Sequence, residues 1–452
     1  MVIRAFQWIT MRSLEDLATH MTNRNQPKAN IFRSKRWEQD HSRHKPSKKR
    51  GKEPTQQNLD CKIAKTCGAC RYINSDYKNS VTEKYQAGLE LLKSEDLLQH
   101  AHLSEPIASP KTLAYRCHAK LAVRLNKAMR PGTEGQRFSI GMFQRESHKV
   151  IDISYCPLHK PSINRFIKDL KPALEDSGLE PYDEENHTGD LRYLAIRAAH
   201  LTDQIMVTFV CNNEEKKQEL KTMLLKLRSQ GHAISSAHLN LNSERTNRIF
   251  GSTSKRLLGA DRLREQVCDL SFEIGPSSFF QVNPWLAELI YRRVEQLAAQ
   301  DTGHSVAWDL YCGTGQISML LANNGYRTIG VEENPQATRD AQKNVVRNQL
   351  ENPPQFVAGR VESFTSSFPS WASQPNIIVV NPSRKGLSED VREFLKSTMS
   401  QSNSRLIYVS CEISTLTRDL TDLCQIGKKV RQVEAFDMFP FTEKMEWLAV
   451  ID

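Results

Sequence analysis

The spacing of hydrophobic positions changes character twice along this chain. Residues 1–58 show no alternating strand pattern; they are polar, basic and rich in Asn, Gln, Ser and Lys, above all over Ser34–Gln57, and read as a disordered arm. Over Val81–Leu98 apolar residues return at helical intervals, with Tyr85, Leu89, Leu91 and Leu92 on one side. Between 105 and 265 the pattern is mixed. Ala119–Arg124, Phe138–Phe143 and Ile205–Val210 predict strands, while Ser162–Ala173 and Glu214–Arg228 predict helices.

From about Glu273 strands and helices alternate. Ser305–Leu310, Arg327–Glu332, Phe356–Ala358, Asn376–Val380 and Arg405–Val409 predict strands. Ile317–Asn323, Pro335–Gln349 and Ser414–Leu423 predict helices, and Val430–Phe436 and Trp447–Ile451 close the sheet. Pro335 suits a first helical turn. Ser388 reads as an N-cap, with Glu389 and Asp390 in the turn behind it. Repeated strand–helix units predict an α/β fold with a doubly wound, largely parallel sheet. The expected layout is an arm over 1–58, a cysteine loop and helix over 59–100, a mixed α+β central domain over 101–268 and a Rossmann-like domain over 269–452.

Composition narrows the class. A chain of 452 residues, 39% hydrophobic, is long enough for two or three domains with buried cores. Apolar runs such as Ile377–Val380 are far too short to span a bilayer, and Met1–Thr10 lacks the hydrophobic region of a signal peptide. A cytoplasmic protein with no membrane partner is expected. The net charge is +10, and residues 1–58 carry +8 of it, with thirteen Lys/Arg against five Asp/Glu. A basic arm before a near-neutral body suits contact with phosphates. Ten cysteines in such a compartment argue for metal binding or catalysis rather than disulfides.

Three motifs carry candidate chemistry. Asp309-Leu310-Tyr311-Cys312-Gly313-Thr314-Gly315 lies between a strand and a helix, where glycines let backbone approach a ligand. Glu332 ends the next strand and can take both hydroxyls of a ribose. Ser318 stands where a dinucleotide fingerprint would have its third glycine, so S-adenosylmethionine is favoured over NAD. Asn381-Pro382-Ser383-Arg384 also follows a strand, at the edge where ligands bind such sheets. Arg384 occupies the place where methyltransferases of exocyclic amines carry an aromatic side chain, which argues against that chemistry.

Val409-Ser410-Cys411 puts a thiol where a buried strand should stop, and Glu446 follows late in the chain. Carbon 5 of uracil is a poor nucleophile. A thiolate adding to carbon 6 makes carbon 5 enolate-like, and a base must then remove the carbon-5 proton. One cysteine and one carboxylate meet that need, although simple burial also explains a lone cysteine.

Together these residues resemble the RNA 5-methyluridine methyltransferase family over about 61–452. Ser278-Phe279-Phe280-Gln281-Val282-Asn283, Asp309–Gly315, Asn381–Gly386, Ser410-Cys411 and Asp437-Met438-Phe439-Pro440 with Glu446 fall in the family's order. The resemblance implies Cys411 as nucleophile and Glu446 as base, with Gln281, Tyr311, Glu332 and Asn381 contacting S-adenosylmethionine. Cys61, Cys67 and Cys70, with Cys156 far downstream, are similar to the [4Fe-4S] site of the family's ribosomal-RNA branch; their spacing alone also allows zinc. Residues 1–58 show no small β-barrel pattern, which favours the RlmC-like iron–sulfur branch acting on 23S rRNA. A tRNA T-loop uridine is the alternative substrate, and a monomer is expected.

Three departures from the family pattern stand out. Glu412 replaces the usual Asn after the nucleophile, Phe441 and Lys444 replace His, and Tyr115–Lys120 departs from the usual Arg-Asn-Lys. A carboxylate beside a thiolate would raise the thiol pKa. A non-catalytic RNA-binding or ribosome-assembly factor keeping the fold is the rival reading.

Overall fold

The strand-rich segments assemble into two large sheets. The structure, a computed structural model, describes residues 61–126, 137–299, 305–364 and 368–452. The arm expected over 1–58 lies outside the described residues. Residues 58–452 form one compact unit.

The strands are β1 (His102–Leu103), β2 (His118–Leu125), β3 (Phe138–Phe143), β4 (Val150–Asp152), β5 (Leu191–Ala198), β6 (Ile205–Cys211), β7 (Ile234–Leu241) and β8 (Thr253–Gly259). A hairpin follows, β9 (Leu263–Val267) and β10 (Leu270–Ile274). The remainder are β11 (Val306–Leu310), β12 (Arg327–Glu332), β13 (Gln355–Ala358), β14 (Ile377–Val380), β15 (Arg405–Ser410), β16 (Val430–Phe436) and β17 (Glu446–Ile451). The longer helices are α1 (Tyr77–Ser94), α2 (Pro161–Glu175), α3 (Lys217–Ser229), α4 (Pro284–Ala298), α5 (Gln316–Asn323), α6 (Pro335–Asn348), α7 (Glu389–Gln401) and α8 (Ile413–Leu423).

The central sheet has the order β4-β3-β2-β5-β6-β7-β8. Its one parallel pair, β6 with β7, is joined through α3, because parallel neighbours need a crossover. All eight residues of β5 are buried, including Arg192 and Arg197. Against this sheet α2 packs Ile163, Phe166, Ile167 and Leu170 into one core.

The second sheet has the order β1-β16-β17-β15-β14-β11-β12-β13. β11 to β15 run parallel, and β17 runs antiparallel to both of its neighbours, β15 and β16. Side chains alternate across the strands, so each face builds its own core. Trp308, Leu310, Ile378, Val380, Leu406 and Tyr408 pack on one face with Tyr85, Leu89 and Leu92 of α1. Ala307, Ile377, Val379, Ile407 and Val409 pack on the other with Leu286, Ile290 and Val294 of α4. Cover on both faces is what makes these strands continuous apolar runs.

Two details differ from the sequence expectation. Leu91 is 43% exposed while Leu89 and Leu92 are buried. Two helical residues span about 200°, which turns Leu91 away from the face that Leu89 occupies. Ser388 does occupy the N-cap of α7, but its hydroxyl donates to Glu362 Oε1 at 2.8 Å instead of capping the helix.

Candidate active site

The carboxyl ends of β11, β12, β14 and β15 open onto a cavity of about 660 Å³, whose opposite wall comes from β2 and the cysteine loop. All ten residues singled out in the sequence line it: Cys411 and Glu446, then Gln281, Tyr311, Glu332 and Asn381, then Cys61, Cys67, Cys70 and Cys156.

The glycine loop ends β11 and opens α5. Gly313 (φ 57°) and Gly315 (φ 84°) both adopt left-handed backbone, and a Cβ on Gly315 would lie 2.6 Å from the Phe356 ring. Tyr311 also has positive φ, 66°, an uncommon backbone conformation for a bulky residue, and lines the cavity wall. The Gly313 N–H donates to Glu332 Oε2 at 3.0 Å, and the Asn334 N–H donates to Oε1 at 2.8 Å. Backbone therefore fixes the Glu332 carboxylate, and burial raises its pKa. Asp309 is buried, with Oδ2 accepting from Ser318 Oγ at 2.5 Å. Its Oδ1 has no protein partner among the described residues, and burial pushes the group up to about 7.

Nucleophile and base candidates come from adjacent strands. The β15–β17 register pairs Ser410 with Trp447, so one further step sets Cys411 opposite Glu446. Glu446 itself still pairs with Phe436 of β16 on its other side. Burial pushes Glu446 up to about 8, against the pull of Arg384. Burial and then the Glu446 carboxylate raise the Cys411 thiol, while Arg384 lowers it. Arg384 thus acts on both groups from the loop after β14. The sequence signalled Arg384 only as a missing aromatic, because its partners lie about 30 and 60 residues further on.

Other wall residues were less legible. Phe279 is 60% exposed yet lines the cavity. Arg116, His118 and Lys120 face it from the start of β2. Burial holds His118 well below the usual imidazole range.

The four cysteines sit at the far end of the same cavity. Cys61 precedes and Cys67 ends the single helical turn Ala64–Cys67, and Gly68 closes that turn in left-handed backbone at φ 65°. Asn164 brackets Cys156, accepting from its N–H at 3.1 Å and donating to its C=O at 2.9 Å. The Cys70 thiol is pushed up to about 12 by burial first and then by Cys156, with smaller contributions from Cys67 and Cys61 against Arg116. Among the described residues no three His, Cys, Asp or Glu side chains close on a point that would hold one metal ion. No helix among them is long and apolar enough to cross a membrane.

The departures from the family pattern have structural partners. Phe441 is buried with φ 64°, packed with Ile73, Tyr115 and Leu158 beside Cys61 and Cys70. Its C=O accepts from the Tyr72 N–H at 3.0 Å. Lys444 and Glu412 form an ion pair at 2.6 Å.

Fold and cavity define a methyltransferase of the Rossmann-like class. The family model described as tRNA (Uracil-5-)-methyltransferase matches residues 89–451, and the chain belongs to that family. It is similar to an uncharacterized RNA methyltransferase of Clostridium acetobutylicum, 31% identical, with 86% of this chain and 82% of that one covered. An uncharacterized RNA methyltransferase of Geobacter sulfurreducens is 32% identical over 90% of this chain and 78% of its own. Among solved structures, the Pyrococcus abyssi tRNA (uracil-54, C5)-methyltransferase in complex with S-adenosyl-L-homocysteine shares the fold, with TM-score 0.66, 23% identity and 84% of each chain covered. The protein is an RNA (uracil-5-)methyltransferase.

Proposed function

We propose that this enzyme methylates carbon 5 of a uridine in 23S rRNA through a covalent adduct between Cys411 and carbon 6. The observation that carries the mechanism is the β15–β17 register, which faces Cys411 with Glu446 at the wall of the cofactor cavity. The Cys411 thiolate adds to carbon 6, and carbon 5 gains nucleophilic character. Bound S-adenosylmethionine supplies an electrophilic methyl group, which carbon 5 takes. Glu446 then removes the carbon-5 proton, the carbon 5–carbon 6 double bond re-forms, and the Cys411 sulfur leaves with its electron pair. The raised pKa of Glu446 suits a base working near neutrality.

Gln281, Tyr311, Glu332 and Asn381 would hold the cofactor, with the fixed Glu332 carboxylate toward ribose hydroxyls. The buried, unpartnered Asp309 Oδ1 fits a ligand that carries hydrogen-bond donors. The target base must leave its stack to reach Cys411. Exposed Phe279 offers it a face, and Arg116 and Lys120 offer charge to its phosphates. The central sheet and the basic arm would hold the rest of the RNA.

Cys61, Cys67, Cys70 and Cys156 would hold a [4Fe-4S] cluster. All four thiols line one cavity, and the preference for a cluster over one zinc ion rests on the family resemblance. Iron and sulfide analysis after anaerobic purification decides between them.

A tRNA substrate is the second reading, favoured by the description of the family model that matches the chain. Tritium release from RNA labelled at uridine carbon 5 tests both, using separated 23S rRNA and tRNA from cells lacking this protein. Release from 23S rRNA alone is expected; release from tRNA alone moves the substrate. Turnover by a Cys411→Ala enzyme would refute the covalent mechanism, and Glu446→Ala is expected to accumulate a protein–RNA adduct.

A further inference from the structure

Glu412 follows Cys411 directly and occupies the N-cap of α8, yet its side chain caps nothing. Its main chain is held by Ser410: the Glu412 N–H donates to Ser410 Oγ at 3.1 Å, and the Ser410 hydroxyl donates to the Glu412 C=O at 3.2 Å. The carboxylate accepts no backbone N–H of the helix. Oε1 accepts from Ser414 Oγ at 3.3 Å, and Oε2 accepts from Lys444 Nζ at 2.6 Å. Lys444 lies two residues before Glu446, on the turn that delivers that carboxylate to β17. Its own C=O accepts from Lys84 Nζ of α1 at 3.4 Å. The ion pair is partly shielded, with side-chain exposures of 36% for Lys444 and 20% for Glu412.

We propose that Glu412 and Lys444 are a positioning pair for methyl transfer: Lys444 neutralises the carboxylate beside Cys411 and ties the nucleophile's turn to the turn that sets Glu446. The pair rests on the roles given above to Cys411 and Glu446. Three charged groups bear on the Cys411 sulfur, and a fourth is paired with one of them. Glu446 comes from β17, Arg384 from the loop after β14, Glu412 from its own turn, and Lys444 from the turn before β17, through Glu412. Burial keeps the proton on Glu446 near neutrality, so Glu412 is the carboxylate whose charge Lys444 offsets. An unpaired Glu412 would add a second negative charge beside the thiolate and disfavour it. A structural clasp alone would hold the loops without any effect on thiolate formation.

The test reads Cys411 alkylation by iodoacetamide across pH 6 to 10, followed by mass spectrometry of the Cys411 peptide in the full-length protein. Lys444→Met is expected to slow alkylation roughly three- to tenfold near neutrality, a shift of up to about one pH unit upward, tempered by solvent screening. Glu412→Gln is expected to shift the profile the opposite way, the double variant to return it toward the wild type, and Lys444→Arg to preserve it. Opposite shifts cancelling in the double variant cannot arise from loosening alone. Single variants that move the profile together, or leave it in place, overturn the pair while alkylation of the wild type still abolishes tritium release. Alkylated wild-type enzyme that keeps turning over instead removes Cys411 as nucleophile, and the pair falls with it.

Discussion

Glu446 bears a cost that can be measured without any substrate. Its carboxyl is 2% exposed, and burial lifts its pKa from the ordinary value near 4.5 to about 8 even with Arg384 nearby. A carboxyl raised in the folded state binds a proton that the unfolded chain has already released. Stability from that group is therefore complete below pH 4.5 and falls as pH climbs through 8. Each pH unit in that window is worth about 1.4 kcal/mol, so the ceiling is about 5 kcal/mol. Local relaxation and water entry reduce such penalties, and about 2–3 kcal/mol is the expected loss. Glu446→Gln keeps the shape and removes the titration. Urea unfolding of wild type and Glu446→Gln at pH 5, 6.5 and 8.5 checks this. The variant is expected to gain on the wild type steadily with pH, by about 2–3 kcal/mol at pH 8.5, while losing turnover. Parallel stability curves would refute the raised carboxyl and remove the reason for its suitability as a base near neutrality.

Two further outcomes follow from the packing. Lys84 of α1 forms a buried ion pair with Asp437, and Lys84→Met is expected to cost about 3–5 kcal/mol in urea unfolding by stranding that carboxylate. Asp437→Asn added to Lys84→Met is expected to recover part of the loss. Gly315→Ala puts a Cβ 2.6 Å from the Phe356 ring at φ 84°, and about 1–2 kcal/mol of left-handed strain is expected to weaken S-adenosylmethionine binding roughly tenfold by calorimetry.

Most of the catalytic half was readable because its strands are short apolar runs buried on both faces. Ile377–Val380 and Arg405–Ser410 needed no partner to be seen as strands. The central sheet showed β2, β3 and β6 in its sequence but hid β5 and β7 behind polar residues satisfied only in three dimensions. Arg192 and Arg197 interrupt β5, and the buried His238 and Asn240 interrupt β7. The Asn240 side chain donates to the Gly251 and Thr253 carbonyls, a role no local pattern announces. The β9–β10 hairpin turns at Cys268-Asp269, both at positive φ, without the Asn-Gly or Asp-Gly pair that usually marks such a turn. The helix Pro284–Ala298 carries a readable start, an Asn283 cap before proline, but stands outside the strand–helix alternation. The site residues were legible one by one. Their convergence on one cavity was not, because β2, the cysteine loop and β17 come together only through the fold.

β17 has a neighbour hydrogen-bonded along each side, and Glu446 is its first residue. Cys411 sits past the end of β15, on a turn. The two side chains proposed to react therefore belong to parts of the molecule expected to open at different energies. The amides along β17 should be among the last to exchange with deuterated water, and those around Cys411 among the earlier ones. If exchange follows that order, the carboxylate side is the stiffer wall of the site and the sulfur turn the part expected to yield to an entering nucleotide. Compounds that stiffen that turn would block entry without touching the carboxylate, and protection measured by exchange would rank them before any assay with RNA.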